Sequence, residues 1–391
     1  MRLHEFQAKR LLGDYGLPIP RGVVALTPDE VEAIARDLGA SRIAVKAQIH
    51  AGERLASGGV KIVNGPSMAR NAAQEMFGRR LITAQTDEEG ETVRRVYVEE
   101  GVSFARALHL ALLVDWSVGG LVAVGSADGG EGIEERARRG DFRQERVVLP
   151  VGAPADRAEV AAFFGRLGLE GQSAEAGCDL VEGLRRAFVE LDASLIEINP
   201  LAVTNAGALV ALDVKMTLDD NALFRHPELS HLGDEAEGDR TRLSAHRDQL
   251  NFVQLDGDIG LVSNGAGLGL ATLDMVKAAG GKPANFMDIR TTARSLDIAH
   301  GFTLLLDNPK IKTLLINVHG GGMQSCDTIA EGLGVALRRS GRKLPIVIRL
   351  AGQNADFARN RLANFGCAVI EAPDMGVAAA RAVQVAATGR A

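Results

Sequence analysis

At 391 residues the chain exceeds the length at which a single core usually stops growing, so at least two domains are expected. A net charge of −6 without any basic block argues against nucleic acid and anionic membranes as main partners, while small anionic ligands stay open because a local patch can oppose the global sign. Cys178, Cys326 and Cys367 are scattered without CxxC spacing, no run approaches the roughly 20 apolar residues of a membrane span, and Met1 to Glu5 opens into a helix rather than a signal peptide; a reducing, cytoplasmic location is expected.

Residues 4–15 carry Phe6, Leu11, Leu12 and Tyr15 at approximately helical spacing, and Gly16-Leu17-Pro18 ends the run. The stretch 42–49 alternates like a strand, and 67–77 reads as a helix. Segments 81–83 and 96–98 read as a hairpin around the acidic turn 87–90. An apolar run at 108–114, a charged stretch at 131–146 and helices near 156–167 and 176–191 follow. The most informative segment comes next: Leu195 to Pro200 and Val210 to Lys215, joined by Asn205-Ala206-Gly207. A three-residue loop ending in a left-handed glycine makes Thr204 face Ala208 and sets Asn199 opposite Asp213. Their oxygens are hard ligands suited to magnesium. Glu and Asn interrupting an apolar strand are costly unless paired. A solvated hairpin with incidental polar residues is the plainer alternative.

Residues 226–249 are polar and weakly periodic, which suits a linker. Beyond them four short β-rich runs, 259–262, 312–316, 345–348 and 367–370, each lead into a Gly-rich or polar turn and a helix-like segment. Such alternation implies an α/β parallel sheet with ligands at the carboxyl ends of its strands. Three turns stand there: Ser263-Asn264-Gly265-Ala266-Gly267, Asn317 to Gly322, and Gly352-Gln353-Asn354. Their glycines would let peptide N–H groups approach an anion at a helix N-terminus. In the first half Lys46 ends an apolar strand ahead of the glycine-bearing stretch 51–59, a plausible phosphate cover. Glu99 and Glu100 could accept from an adenine amino group or ribose hydroxyls, or simply be solvated.

The motifs His4-Glu5-Phe6-Gln7-Ala8-Lys9, Val45-Lys46-Ala47-Gln48-Ile49-His50-Ala51-Gly52, Glu197-Ile198-Asn199-Pro200-Leu201, Asn221-Ala222-Leu223-Phe224-Arg225, Asn264-Gly265-Ala266-Gly267-Leu268 and Pro283-Ala284-Asn285-Phe286 run through the whole chain in order. Together they resemble the β subunit of succinyl-CoA synthetase and related chains such as malate-CoA ligase β subunits. The resemblance implies an ATP-grasp domain over residues 1–238 and a flavodoxin-like, parallel-sheet CoA-ligase domain over 239–391. It implies that Lys46 and the loop carrying Glu53, Arg54 and Leu55 contact the phosphates of ATP, and that Glu99 with the backbone near Val102 contacts the adenosine. Asn199 and Asp213 would bind Mg2+, and Glu197 would face a phosphohistidine. Asn264 and the loop of Gly321, Gly322 and Met323 would help hold a small dicarboxylic acid. It further implies an α subunit, in αβ or α2β2 assembly, that carries the phosphohistidine and the CoA site. None of the eight histidines here lies in a motif that replaces that residue. His319, beside the glycine loop, is expected to pack rather than react.

Departures from the family pattern cluster at the site. Glu53, Leu55 and Ala56 stand where the phosphate loop usually has glycines and a lysine, Ala107 where an acid is expected, and Arg290-Thr291-Thr292 where three glycines are expected. The loop 320–327 is one residue longer than usual and lacks a customary Arg, and Ala351 replaces a Glu. The expected acid is succinate. The alternatives are a ligase for malate, citrate or another substituted dicarboxylate, or a regulatory, non-catalytic paralogue.

Overall fold

In the computed structural model the described residues are 1–86, 90–233, 245, 249–321 and 324–389, and the chain folds into two compact units, Met1–Gly233 and Asp234–Ala391. The N-terminal unit opens with helix Glu5–Gly13, where the His4 N–H donates to Gln7 Oε1 at 2.9 Å and so satisfies one free donor of the first turn. This helix buries Ala8 and Leu12, and on the same face Glu5 and Lys9.

An antiparallel sheet in the order Gly22–Ala25, Val96–Glu100, Ile43–Ala47, Val60–Val63 forms the first layer. Helices Pro28–Leu38 and Pro66–Met76 cover one face, packing Val31, Ala35, Ala69 and Ala73 against Ile43, Val45 and Val98. Because strand side chains alternate, Ala44, Lys46 and Glu99 point to the opposite face and line a cavity. The hairpin expected between 81–83 and 96–98 is not formed. Arg80–Leu81 pairs with Glu91–Thr92, while Val96–Glu100 runs between two other strands of the main sheet. A buried, β-branched strand gains more from two partners than from one. Turn residues 87–89 lie outside the described residues.

A second antiparallel sheet runs Leu209–Ala211, Ala193–Val203, Arg106–Asp115, Gly120–Ser126, Glu145–Leu149, with Val214–Leu218 pairing the first half of Ala193–Val203. Helices Arg157–Arg166 and Gly171–Glu190 are the expected pair, and they contribute Phe163, Phe164 and Leu184 to its core. The charged stretch holds helix Ile133–Arg139 and the start of strand Glu145–Leu149. The central hairpin has the expected register: the Thr204 N–H donates to Ala208 O at 2.9 Å, Gly207 has φ +81°, and the Asn199 N–H donates to Asp213 O at 3.0 Å. An irregularity between Ile198 and Leu201 against Arg106–Asp115 sets Asn199 and Pro200 off the ladder, a common device for aiming side chains beside a site.

In the C-terminal unit the strand order is Leu250–Gln254, Asn285–Ile289, Ile259–Ser263, Thr313–Gly320, Ile346–Gly352, Ile370–Glu371. The last five are parallel and stand in the order 2-1-3-4-5, the flavodoxin-like arrangement. Leu250–Gln254 adds an antiparallel edge. It and Asn285–Ile289 escape a search for apolar runs because Asn, Gln and Asp interrupt them. Helices Ala266–Ala278 and Met375–Thr388 cover one face, and Ser295–Asp307, Cys326–Ser340 and Ala355–Asn364 the other. Just before the expected linker Leu223–Arg225 is a short 3-10 segment, within it Pro227–Leu232 is another, and 234–244 and 246–248 lie outside the described residues. Among the described residues no helix is long and apolar enough to cross a membrane.

Candidate active site

A cavity of about 260 Å³ in the N-terminal unit gathers Lys46, Glu53, Arg54, Leu55, Glu99 and Val102 with Glu197, Asn199 and Asp213. These are all the residues that the sequence proposes for nucleotide, metal and phosphohistidine in this half of the chain. They arrive from strands and loops far apart in sequence, and the two sheets supply opposite walls.

Behind the cavity lies a lattice of buried charges. Lys9, with 0% of its surface exposed, places Nζ 2.9 Å from Glu5 Oε1, 2.6 Å from Glu99 Oε2 and 2.8 Å from the Leu212 carbonyl. Lys46 Nζ lies 2.8 Å from Glu5 Oε1 and 2.5 Å from Glu99 Oε1. Arg54 donates through Nη1 to Ala47 O at 2.7 Å and through Nη2 to Glu5 Oε2 at 2.6 Å and Asp213 Oδ1 at 2.8 Å. Burial pushes the Glu5 carboxyl up, but the charges of Lys46, Lys9 and Arg54 outweigh it and hold the group well below the usual range. Burial likewise disfavours the charged Lys46, and Glu5, Glu99 and Asp213 more than restore it, raising its pKa. Three cations and three carboxylates leave the lattice formally neutral.

This geometry revises several expectations. Glu99 is neither solvated nor turned wholly to a ligand, since both its oxygens hold lysines. Glu100, on the other face of the strand, accepts from Arg21 Nε at 2.9 Å. Arg54 is buried and faces carboxylates. Glu53 adopts φ +55°, the left-handed region that favours glycine, and Leu55 stays 54% exposed. At Gly52 an added Cβ would lie 2.6 Å from Lys215 Nζ and 2.8 Å from Gln85 Oε1, so a side chain there would require the ends of those two flexible side chains to shift.

Glu197 lies 3.3 Å from His109 Nε2 and 3.6 Å from Lys215 Nζ. Burial raises its pKa, but the His109 hydrogen bond and the Lys215 charge prevail and keep it below the usual range, hence ionised near neutrality. Sequence reasoning missed Glu5, Lys9 and His109 as parts of this site. Glu5, Ala8, Lys9 and Leu12 share one helical face, and that placement of charges on an apolar stripe was the available signal.

The donor set fits a hard divalent cation. Asn199 and Asp213 sit side by side on neighbouring strands, and among the described residues no hydrogen bond reaches Asp213 Oδ2. The Asn199 amide is oriented by Gly130, whose N–H donates to Oδ1 at 2.6 Å and whose carbonyl accepts from Nδ2 at 3.1 Å. Among the described residues no three His, Cys, Asp or Glu gather at metal-binding distance. Few protein ligands plus phosphate oxygens and water is the usual arrangement for magnesium.

In the C-terminal unit Asn264 lies just past strand Ile259–Ser263, at the switch point beside Thr313–Gly320. Its Nδ2 donates to His319 O and its Oδ1 accepts from the His319 N–H, both at 2.9 Å, so the amide clamps two strand ends together. The His319 ring is exposed instead of packed, and it is the backbone of that residue that matters. The Gly265 N–H, at the start of helix Ala266–Ala278, donates to Asp288 Oδ1 at 2.6 Å, and Asn251 Nδ2 donates to Oδ2 at 2.9 Å. The chain's own carboxylate thus takes one of the donors expected to meet an anion. Gly321 follows this strand end, whereas Gly322 and Met323 lie outside the described residues.

Comparison with known proteins agrees with this two-part construction. Residues 2–203 match the family model of an ATP-grasp domain and residues 262–383 that of a CoA-ligase. The chain thus has the composition of an ATP-grasp CoA ligase. It is 44% identical over 388 residues to the succinate–CoA ligase [ADP-forming] subunit beta of Anaeromyxobacter dehalogenans (strain 2CP-C), covering 99% of both chains. It is 40% identical to the protein of that name from Myxococcus xanthus (strain DK1622), covering 98% of this chain and 99% of the relative. The chain belongs to the succinate–CoA ligase [ADP-forming] β-subunit family. A solved structure of ATP citrate lyase from Methanothrix soehngenii in complex with citrate and coenzyme A superposes with a TM-score of 0.72 over 98% of this chain and 99% of that one. At 18% identity that likeness speaks for the fold alone.

Proposed function

We propose that this chain is the β subunit of a cytoplasmic, ATP-dependent, ADP-forming carboxylic acid–CoA ligase whose acid is succinate, with residues 1–238 forming the nucleotide-binding part. In this reading the γ-phosphoryl group moves from ATP to a histidine of an α subunit, then to the acid, and the thiol of CoA attacks the resulting acyl phosphate. The partner also carries the CoA site, in αβ or α2β2 assembly. The observation that carries the proposal is the convergence of Lys46, Arg54, Glu197, Asn199 and Asp213 on one cavity in a chain of this family.

Phosphoryl transfer needs positioning and charge neutralisation more than covalent work by the protein. Lys46 would place a permanent positive charge against the phosphates, with its direction set by Glu5 and Glu99. Because the lattice behind it is neutral, it offers the phosphates little net attraction. A magnesium ion held by Asn199 and Asp213 would supply that neutralisation. Glu197, ionised and braced by His109 and Lys215, is suited to accept an N–H from an incoming imidazole and hold its other nitrogen towards the phosphoryl group. Asn264, by clamping His319, would shape the pocket for the acid together with the loop 321–323.

Co-purification with a CoA-binding α subunit, followed by a coupled assay with ATP, magnesium, CoA and succinate, tests the reading. The expected result is succinyl-CoA and ADP, with an acid-labile phosphohistidine on the partner when the acid is omitted. If neither product nor phosphohistidine forms with any acid offered, the reading fails. One observation favours a substituted acid. Arg290 is half-buried, donates through Nε to Asn251 Oδ1 at 2.9 Å, and among the described residues has no carboxylate partner. A guanidinium so placed suits an additional carboxylate or hydroxyl. A panel containing malate and citrate decides between the two, and a clear preference for succinate removes the substituted acid.

A further inference from the structure

Glu5 lies in the first turn of the first helix, only 4% exposed, and the proposed reaction has so far used it only to direct Lys46. Its Oε1 meets Lys9 and Lys46, and its Oε2 meets Arg54. The Arg54 nitrogen that it holds, Nη2, is the same atom that holds Asp213 Oδ1. Glu5 and Asp213 therefore divide one guanidinium nitrogen between them, while Nη1 is anchored on the Ala47 carbonyl.

This division has a consequence for a cation at Asp213. A divalent ion arriving there repels the Arg54 charge, and in a buried setting that repulsion is poorly screened. With Glu5 present, Arg54 can lean its donation towards Glu5 without leaving the Ala47 anchor. Without the Glu5 charge, Asp213 becomes the only carboxylate on Nη2 among the described residues, and the ion must compete with Arg54 for it.

We propose that Glu5 is a positioning residue of the metal end of the site, which draws Arg54 away from Asp213 and so keeps that carboxylate available to a divalent cation. The inference rests on Asp213 being the cation ligand of the proposed function. It adds a residue that acts through Arg54 and touches neither metal nor nucleotide.

The test is calorimetric titration of ADP into the full-length protein, copurified with its partner subunit, with and without magnesium. The ratio of the two affinities is the readout. Glu5→Gln keeps the shape of the side chain and removes its charge. It should cut the magnesium enhancement by about 10- to 100-fold, the usual effect of losing a partner behind a metal ligand. Because the readout is a ratio, a change in the hold of Lys46 on the phosphates, present with and without magnesium, cancels from it. The double variant Glu5→Gln/Arg54→Gln should regain much of the enhancement, because the competitor for Asp213 is gone. A purely structural role for Glu5 predicts that the double variant binds worse still. If Glu5→Gln does not fold, as judged by circular dichroism, Glu5→Asp is measured in its place. That variant keeps the charge but withdraws it by one methylene, and a partial loss of enhancement is expected.

An enhancement that survives loss of the Glu5 charge, or is not restored in the double variant, overturns the inference alone. A wild-type protein without any magnesium enhancement overturns the metal assignment of Asp213, and the inference with it.

Discussion

Six ionised side chains, Glu5, Lys9, Lys46, Arg54, Glu99 and Asp213, back the cavity of the N-terminal unit. At the strand ends of the C-terminal unit the corresponding bonds are made by the amides of Asn264, Asn251 and Asn354, by peptide groups, and by the carboxylates of Asp288 and Asp327. The contrast matters because the two materials fail differently. Removing a neutral partner costs about 1 kcal/mol, whereas removing one side of a buried ion pair strands a charge and costs about 3–5 kcal/mol. The first unit is thus rigid in its chemistry and intolerant of substitution. The second leaves more room for its acid-facing residues to change.

The sharpest way to break the contrast is Lys9→Met. It removes a fully buried cation that bridges Glu5 and Glu99, and should lower stability by about 3–5 kcal/mol in urea unfolding. A loss below about 1 kcal/mol would mean the lattice behaves like ordinary neutral bonding.

Acid probes the same lattice. Since the folded-state pKa of Glu5 is depressed, its contribution is complete above the unfolded carboxylate value of about 4.3 and drains away as the pH falls through the folded value. Thermal unfolding of wild type and Glu5→Gln should therefore differ most near neutrality, and the gap should narrow below about pH 4.

On the other side, Asp288→Asn weakens a charge-assisted bond to the Gly265 N–H and should cost about 1.5–3 kcal/mol. Asn264→Ala unclamps His319 at about 1 kcal/mol. It should raise the KM for the acid in the ligase assay without changing that for ATP. Glu53→Gly should stabilise by about 1 kcal/mol, because glycine adopts the +55° φ of that position without strain. A rise in thermal midpoint is the expected result.

Local rules made much of this molecule legible from its sequence. The register that sets Asn199 opposite Asp213 follows from a three-residue loop and the period of a strand, both local facts. The parallel character of the C-terminal sheet follows from the alternation of apolar runs, glycine turns and helical segments. What the sequence left open depends on partners brought together by the fold. Lys9 and Glu99 are 90 residues apart, and Arg54 and Asp213 are 159 apart. A charge on a helix face or at a strand end reads as solvated until the wall opposite is known. Tertiary structure alone decided that Val96–Glu100 sits inside a sheet, that Arg54 faces two carboxylates, and that the Asn264 amide binds a neighbouring strand. Patterns of spacing fix which residues share a face, but the low dielectric and the unpaired groups that give those residues their chemistry exist only once the two faces meet.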